Sequence, residues 1–222
     1  MTVAALYVET NGAYFGLDGV DPWDEERDAR LYAGPYPVVA HPPCARWSRL
    51  AGFTEFRFGL KRGDDGGCFK AALASVHRFG GVIEHPAYSD AWKAFDLPRP
   101  VVREGWTLGF DGGASCYVEQ GRYGLPVKKA TWLYAYGVEL ADLRWGYTRD
   151  GDGDDVGGMD AWRDRFGGRR AAWEESLVST YNADGVRCRP SHLGQHSATP
   201  DSFRDALIGM ARSVYATKEA AA

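Results

Sequence analysis

Apolar positions in this chain come in short bursts set between turn residues, with no single long periodic stretch. The run Ala4-Ala-Leu-Tyr-Val8 is followed by Asn11-Gly12, Gly16 and Asp18-Gly19, which predicts a short buried strand and then turns, with little room for a helix. Pro37-Val-Val-Ala40 predicts a second buried strand, stopped by His41-Pro42-Pro43-Cys44, so Cys44 falls just past a strand end. From Gly67 to Phe79, the residues Phe69, Ala72, Leu73, Val76 and Phe79 recur at intervals of three and four, the spacing of one helical face. Gly80-Gly81 ends that helix, and Val82-Ile83-Glu84 predicts a strand running into His85-Pro86.

Strand, helix and strand in this order predict a right-handed crossover with both strand ends at one edge of a sheet. Cys44 and Glu84 then become neighbours. Further on, Cys116 to Gln120 and Ala130 to Tyr136 predict two strands joined by the Gly/Pro-bearing turn Gly121 to Pro126, a hairpin. Thr199-Pro200-Asp201 predicts a helix start, with Thr as N-cap, and Phe203, Leu207, Ile208 and Met210-Ala211 give that helix an apolar face. The expected architecture is one α/β domain over residues 1–222: a Rossmann-like three-layer fold with a mostly parallel sheet and a β-hairpin at one edge. Residues 149–160, rich in Asp and Gly, predict a flexible acidic loop. Its Asp150-Gly-Asp-Gly-Asp154 start hints at calcium, but Asp155 and Ala161 replace the Gly and Glu such a loop requires.

Composition narrows the function. With 222 residues, 45% hydrophobic and 25% charged, the chain has the makeup of a folded protein, and its N-terminus lacks a signal peptide's basic start and long apolar stretch. No run approaches the roughly 20 apolar residues of a membrane span, so the expected location is the cytoplasm, with no membrane partner. The four cysteines, Cys44, Cys68, Cys116 and Cys188, are scattered and predict free thiols. His41, His85 and Cys44 form no four-ligand metal set at a recognisable spacing, so no metal is expected. The net charge of −4 argues against broad nucleic-acid binding. One segment runs the other way: Arg46, Arg49, Arg57, Lys61 and Arg62 face a single acid, Glu55, with Trp47, Phe53, Phe56 and Phe58 interleaved. Such a surface suits phosphates and stacked bases.

Pro43-Cys44-Ala45-Arg46-Trp47-Ser48 resembles the Pro-Cys-Gln-x-Phe-Ser nucleophile motif of the DNA cytosine-C5 methyltransferases, with Ala45 in place of Gln. Glu84-His85-Pro86 is similar to that family's Glu-Asn-Val or Glu-Asn-Pro motif, with His in the middle. Tyr123-Gly124-Leu125-Pro126-Val127-Lys128-Lys129-Ala130-Thr131 resembles its Tyr-Gly-x-Pro-Gln-x-Arg-x-Arg, with Val, Lys and Thr at the last three informative positions. Ala198-Thr199-Pro200-Asp201 is similar to the Leu-Thr-Pro-Arg-Glu helix start near the family's C-terminus. The four motifs stand in the family's order, across about half of the chain, as in a trimmed phage or bacterial member.

The resemblance implies a chemistry. Cytosine C5 is a poor nucleophile until a thiolate adds to C6 and turns the ring into an enamine. Cys44 supplies that thiolate, and Glu84 acts as general acid at N3. It implies base flipping of a DNA cytosine, with Arg46, Ser48, Arg49, Gln120, Arg122 and Lys129 as contacts to base or phosphate. It also implies S-adenosylmethionine as cofactor. The family's Phe-x-Gly-x-Gly turn is here Val8-Glu9-Thr-Asn11-Gly12, with one Gly, and Asp21 with Trp23 stands for the ribose- and adenine-binding pair, so the cofactor set is Glu9, Asn11, Gly12, Asp21 and Trp23. Two alternatives remain open: the same Cys/Glu chemistry with another electrophile or on a free pyrimidine nucleotide, and a non-catalytic nucleic-acid-binding protein that keeps the fold.

Overall fold

The computed structural model describes residues 1–48, 51–59, 61–101, 104–125, 129–146 and 199–220. The acidic segment 149–160 and Arg49 lie outside the described residues. The first strands form where the apolar runs stand: β1 (Val3–Leu6) and β3 (Val38–Ala40) are buried throughout, and helix α2 (Cys68–Phe79) leads into β4 (Gly81–Pro86). Later in the chain, β6 (Ala114–Glu119) and β7 (Ala130–Tyr136) make the expected hairpin, and a C-terminal helix, α4, spans Asp201–Ala220.

Four further elements had no clear signal. Strand β2 (Val20–Trp23) contains Pro22, which lacks a donor and is tolerated because β2 is an edge strand. Strand β5 (Trp106–Leu108) is three residues long and forms the other edge. Helix α1 (Ala51–Phe58) and helix α3 (Asp90–Ala94) are short. Ser89 caps α3 by accepting from the Ala91 amide at 3.1 Å.

The sheet is mixed, in the order β2-β1-β3-β4-β7-β6-β5. Strands β2, β1, β3 and β4 pair in parallel, whereas β4–β7, β7–β6 and β6–β5 are antiparallel. This corrects the expectation of a mostly parallel sheet: the two longest ladders, of six paired positions each, are antiparallel. The hairpin also lies inside the sheet, between β4 and β5, not at its edge. Its turn signal is local and could not reveal that β7 would pair with β4 and that β5 would add outside β6.

Successive residues of a strand face opposite ways. Ala4, Leu6, Val38, Ala40 and Ile83 pack with Phe69, Ala72 and Val76 of α2, while Val3, Ala5, Val39 and Val82 pack with Phe203, Leu207 and Ala211 of α4. Glu84 shares the parity of Val82 and therefore the α4 face. His85 shares that of Ile83 and lies on the α2 face. The close contact of β3 and β4 depends on Gly81, at φ 144°, because a Cβ there would run into the Val38 carbonyl.

His85 is 1% exposed, and neither ring nitrogen has a hydrogen-bond partner. Its ring stands edge-on to Phe69 at 5.3 Å. Burial pushes its pKa down to about 4, outweighing the Glu84 carboxylate and the nearby Pro43 and Pro42 carbonyls, which favour the charged ring. A base whose folded pKa lies below its unfolded value, 6.5, leaves stability intact above pH 6.5 and removes it as pH falls towards 4. The expected loss is about 3 kcal/mol over that window. Thermal melts of the wild type and His85→Asn between pH 7 and 4 should show this acid loss in the wild type and a flatter curve in the variant; parallel curves would refute the assignment.

Candidate functional site

The parallel strands β1, β2, β3 and β4 all run the same way, so their C-terminal ends share one side of the sheet. From β3 the chain passes through His41-Pro42-Pro43 to Cys44, whose carbonyl accepts from the amides of Trp47 and Ser48, both at 2.9 Å. These bonds fold residues 44–48 into a tight turn. Asp65 anchors it from below: its carboxylate accepts from Trp47 Nε1 at 2.8 Å and from the Gly67 and Phe69 amides at 2.9 and 2.8 Å. The same side chain thus caps the start of α2 and fixes the loop behind the cysteine. Trp47 is buried against Phe69 and Phe95.

Register sets the partner. Ala40 pairs with Ile83, so His41 and Glu84 come next to each other on adjacent strands. His41 Nδ1 lies 3.1 Å from Glu84 Oε2, and His41 Nε2 lies 2.8 Å from the Tyr14 hydroxyl. On the hairpin side, Gln120 Nε2 donates to Glu84 Oε1 at 2.8 Å and to Thr131 Oγ1 at 3.0 Å. The Thr131 hydroxyl is 3.4 Å from the same carboxylate oxygen. Gln120 is fully buried. The third motif's last position, Thr131, therefore meets Glu84 directly.

Charge completes the geometry. Burial opposes the ionised form of Glu84, yet the His41 hydrogen bond and the Lys129 charge bring its pKa down to about 2. Burial and the Glu84 charge raise the Cys44 thiol above its ordinary value, against a smaller pull from Lys129. Cys44, Glu84 and Lys129 are thus within electrostatic reach of one another. At rest the site holds a protonated thiol beside a carboxylate. An ionised carboxylate accepts a proton before it can give one.

The other contact residues are placed unevenly. Arg46 and Ser48 follow Cys44 in its turn and are half-buried, with the Arg46 carbonyl accepting from the Gly63 amide at 2.9 Å. Arg122, in the 3-10 turn Gln120–Tyr123, is half-buried, and its carbonyl accepts from Arg144 at 3.0 Å. Within the basic segment Arg62 is engaged by Asp90 at 2.8 Å, whereas Phe56 and Phe58 of α1 are exposed. A second cationic surface, not marked by the sequence, brings Arg30, Lys70 and Arg78 around a groove of about 360 Å³ on α2.

Two members of the predicted cofactor set, Asp21 and Trp23, are engaged by a neighbouring side chain. Asp21 is bound by Arg27 at 2.6 Å and by Trp23 Nε1 at 2.9 Å, and the Arg27 guanidinium covers the Trp23 ring at 4.0 Å. Glu9 and Asn11 are exposed on the turn after β1, which leads to β2 without a helix. Instead, a cleft of about 550 Å³ opens at the strand ends, lined by Tyr7, Val8, Asp24, Asp28, Arg30 and Pro43 among others. Asp24 directly follows β2 and accepts from the Thr10 hydroxyl at 2.8 Å. Pro43 places this cleft beside Cys44.

Among the described residues Cys44, Cys68 and Cys116 are free, no group of three or more His, Cys, Asp and Glu could hold a metal, and no helix is long and apolar enough to cross a membrane. In comparisons with known proteins, no family model, no curated protein and no solved structure matches the chain.

Proposed function

We propose that this protein is a cytosine C5-modifying enzyme that works through a covalent bond between Cys44 Sγ and cytosine C6, with a flipped cytosine in DNA as substrate. The observation that carries the reading is the convergence of Cys44, Glu84 and Lys129 at one sheet edge, with Gln120 and Thr131 fixing the carboxylate. The motifs that resemble the DNA cytosine-C5 methyltransferases lie far apart in the sequence, and residues of three of them meet here. The half-sheet β2-β1-β3-β4 supports the Rossmann-like parentage this implies.

The charge state of the site fits one order of events. The S–H bond of Cys44 breaks, its electron pair forms the S–C6 bond, and the proton passes through the Glu84 carboxylate to N3. Glu84 is too weak a base to take the thiol proton ahead of addition, so that leg is uphill and is coupled to S–C6 bond formation; N3 gains basicity as the sulfur adds, and the second leg, from Glu84 to N3, runs downhill. Lys129 stabilises the thiolate during the exchange. The resulting enamine carries nucleophilic character at C5. When the electrophile has bonded, the C5 proton passes to water, its electron pair re-forms the C5–C6 double bond, the S–C6 pair leaves on the Cys44 sulfur, and N3 returns its proton through Glu84 to that thiolate.

The cleft beside Pro43 is large enough for S-adenosylmethionine, given that small-molecule sites span about 300–1,000 Å³. Asp24, at the end of β2, stands where a ribose is gripped, and Tyr7 offers an aromatic wall. Bound there, S-adenosylmethionine would supply a methyl group to C5. The engagement of Asp21 and Trp23 by Arg27 favours a second reading, the same Cys/Glu chemistry with a different electrophile.

Transfer of labelled methyl from S-adenosylmethionine to a cytosine oligonucleotide tests the first reading. Label is expected in the cytosine strand and absent from a strand whose cytosines already carry a C5 methyl group. Absence of label from both, together with a Cys44 adduct, would move the assignment to the other electrophile.

A further inference from the structure

Tyr14 and His41 stand behind the reacting groups, and no motif marks them. Tyr14 is 3% exposed, packed in the core beneath α4, and its ring lies 5.3 Å from that of His41. Burial first, and the Glu84 charge next, hold the Tyr14 phenol well above its ordinary value, so its oxygen keeps its hydrogen. A phenol that stays protonated, 2.8 Å from Nε2, donates its hydrogen to the bare nitrogen of a neutral imidazole. The single ring hydrogen must then sit on Nδ1, which faces Glu84 Oε2 at 3.1 Å.

We propose that Tyr14 and His41 are a positioning pair: the Tyr14 hydroxyl fixes the Nδ1–H tautomer of His41, and that N–H holds the Glu84 carboxylate in place to relay the Cys44 proton. The inference rests on the covalent reading above. Were the ring hydrogen on Nε2 instead, Nδ1 would present a lone pair to Glu84 Oε2 and the carboxylate would lose that donor.

The charged and titratable groups around the pair are few. Glu84 meets the pair from one side at His41 Nδ1, and Lys129 and Cys44 face Glu84 in turn. On the far side, Arg204 and Asp205 of α4 act on Tyr14 with opposite signs. His85 reaches Glu84 from the other face of the sheet and stays neutral down to about pH 4.

The tautomer is read directly from the ring ¹⁵N shifts of His41 in the intact protein. Hydrogen on Nδ1 with Nε2 bare is expected; hydrogen on Nε2 in the wild type would overturn the proposal whatever the enzymology. The rate at which the protein bonds to an oligonucleotide carrying pyrimidin-2-one, a base that adds a thiol at C6 without needing a methyl donor, supplies the second arm. Tyr14→Phe keeps the ring and should put part of the His41 ring hydrogen on Nε2, with adduct formation slowed by about threefold. His41→Asn places an amide N–H near the lost Nδ1–H and should keep the rate within about tenfold, whereas His41→Ala should lose about a hundredfold. An unchanged tautomer in Tyr14→Phe, or equal losses in His41→Asn and His41→Ala, would overturn the proposal. A wild type that forms no adduct at any pH would instead remove the covalent reading, with the tautomer still decided by the ring shifts.

Discussion

Cys44→Ala should form no covalent complex with a pyrimidin-2-one oligonucleotide while retaining the wild-type melting temperature to within a few degrees. Cys44 is only partly buried, so removing its sulfur leaves no large cavity. The thiol's own hydrogen bonding is weak, and the turn it sits in is held by backbone bonds to Trp47 and Ser48 and by Asp65, none of which uses the sulfur. The effect on chemistry is expected to be complete because the substitution removes the sulfur that bonds to C6. Cys68 lines the adjoining cleft, so the same experiment on Cys68→Ala should leave the adduct unchanged. Intact-mass spectrometry of the two variants decides the matter, and a full yield of adduct in Cys44→Ala would remove the nucleophile.

Glu84→Gln should change two reactions of Cys44 in opposite directions. The Glu84 charge raises the thiol's proton affinity, so replacing it with a neutral amide lowers that affinity and speeds alkylation by iodoacetamide at a given pH. Adduct formation with the base should instead slow by about 10²–10⁴-fold, because the proton relay to N3 is gone. Oligonucleotide affinity should change far less, since the relay matters only after the thiolate begins to add. A purely structural glutamate predicts that both rates move together. Equal acceleration of alkylation and adduct formation would therefore exclude Glu84 from the proton transfer. The substitution also touches stability: a carboxylate whose folded value, about 2, lies below its unfolded 4.5 stabilises the fold above pH 4.5 and loses that contribution as pH falls towards 2.

Much of this site was legible in the sequence, for local reasons. The strand at Val38–Ala40, the amphipathic helix after Gly67 and the strand into His85-Pro86 each carry their own signal, and the crossover between them follows from chain geometry. Cys44 and Glu84 could thus be put side by side without coordinates. Lys129 and Thr131 came within reach through the frame of one motif, and Gln120 through the hairpin strand that precedes it.

What was not legible depends on contacts between distant residues. Pro22 hid β2, because a proline argues against a strand until the strand is known to be an edge. Strand β5 is too short to show alternation. The surroundings of Asp21 and Trp23 are a different case: both are suitable types at a suitable place, and the contact of Arg27, four to six positions away, with each of them carries no signal in the sequence. Asp24, the next residue in the chain after β2, faces the cleft instead. Tyr14 and His41 lie 27 residues apart, and only the packing of the loop after β1 against the end of β3 joins them. The ionised state of Glu84 was also beyond the sequence, since it follows from hydrogen bonds that burial would otherwise outweigh.

The central claim is a bond between Cys44 and a pyrimidine C6, and peptide mapping by mass spectrometry tests it most directly. The wild-type protein is incubated with a pyrimidin-2-one oligonucleotide, digested with protease and nuclease, and sequenced by fragmentation. The account predicts a nucleotide adduct on the peptide containing Pro43-Cys44-Ala45 and on no other cysteine. An unmodified Cys44 peptide under conditions where the oligonucleotide is bound, or an adduct on Cys68, Cys116 or Cys188 instead, would contradict it.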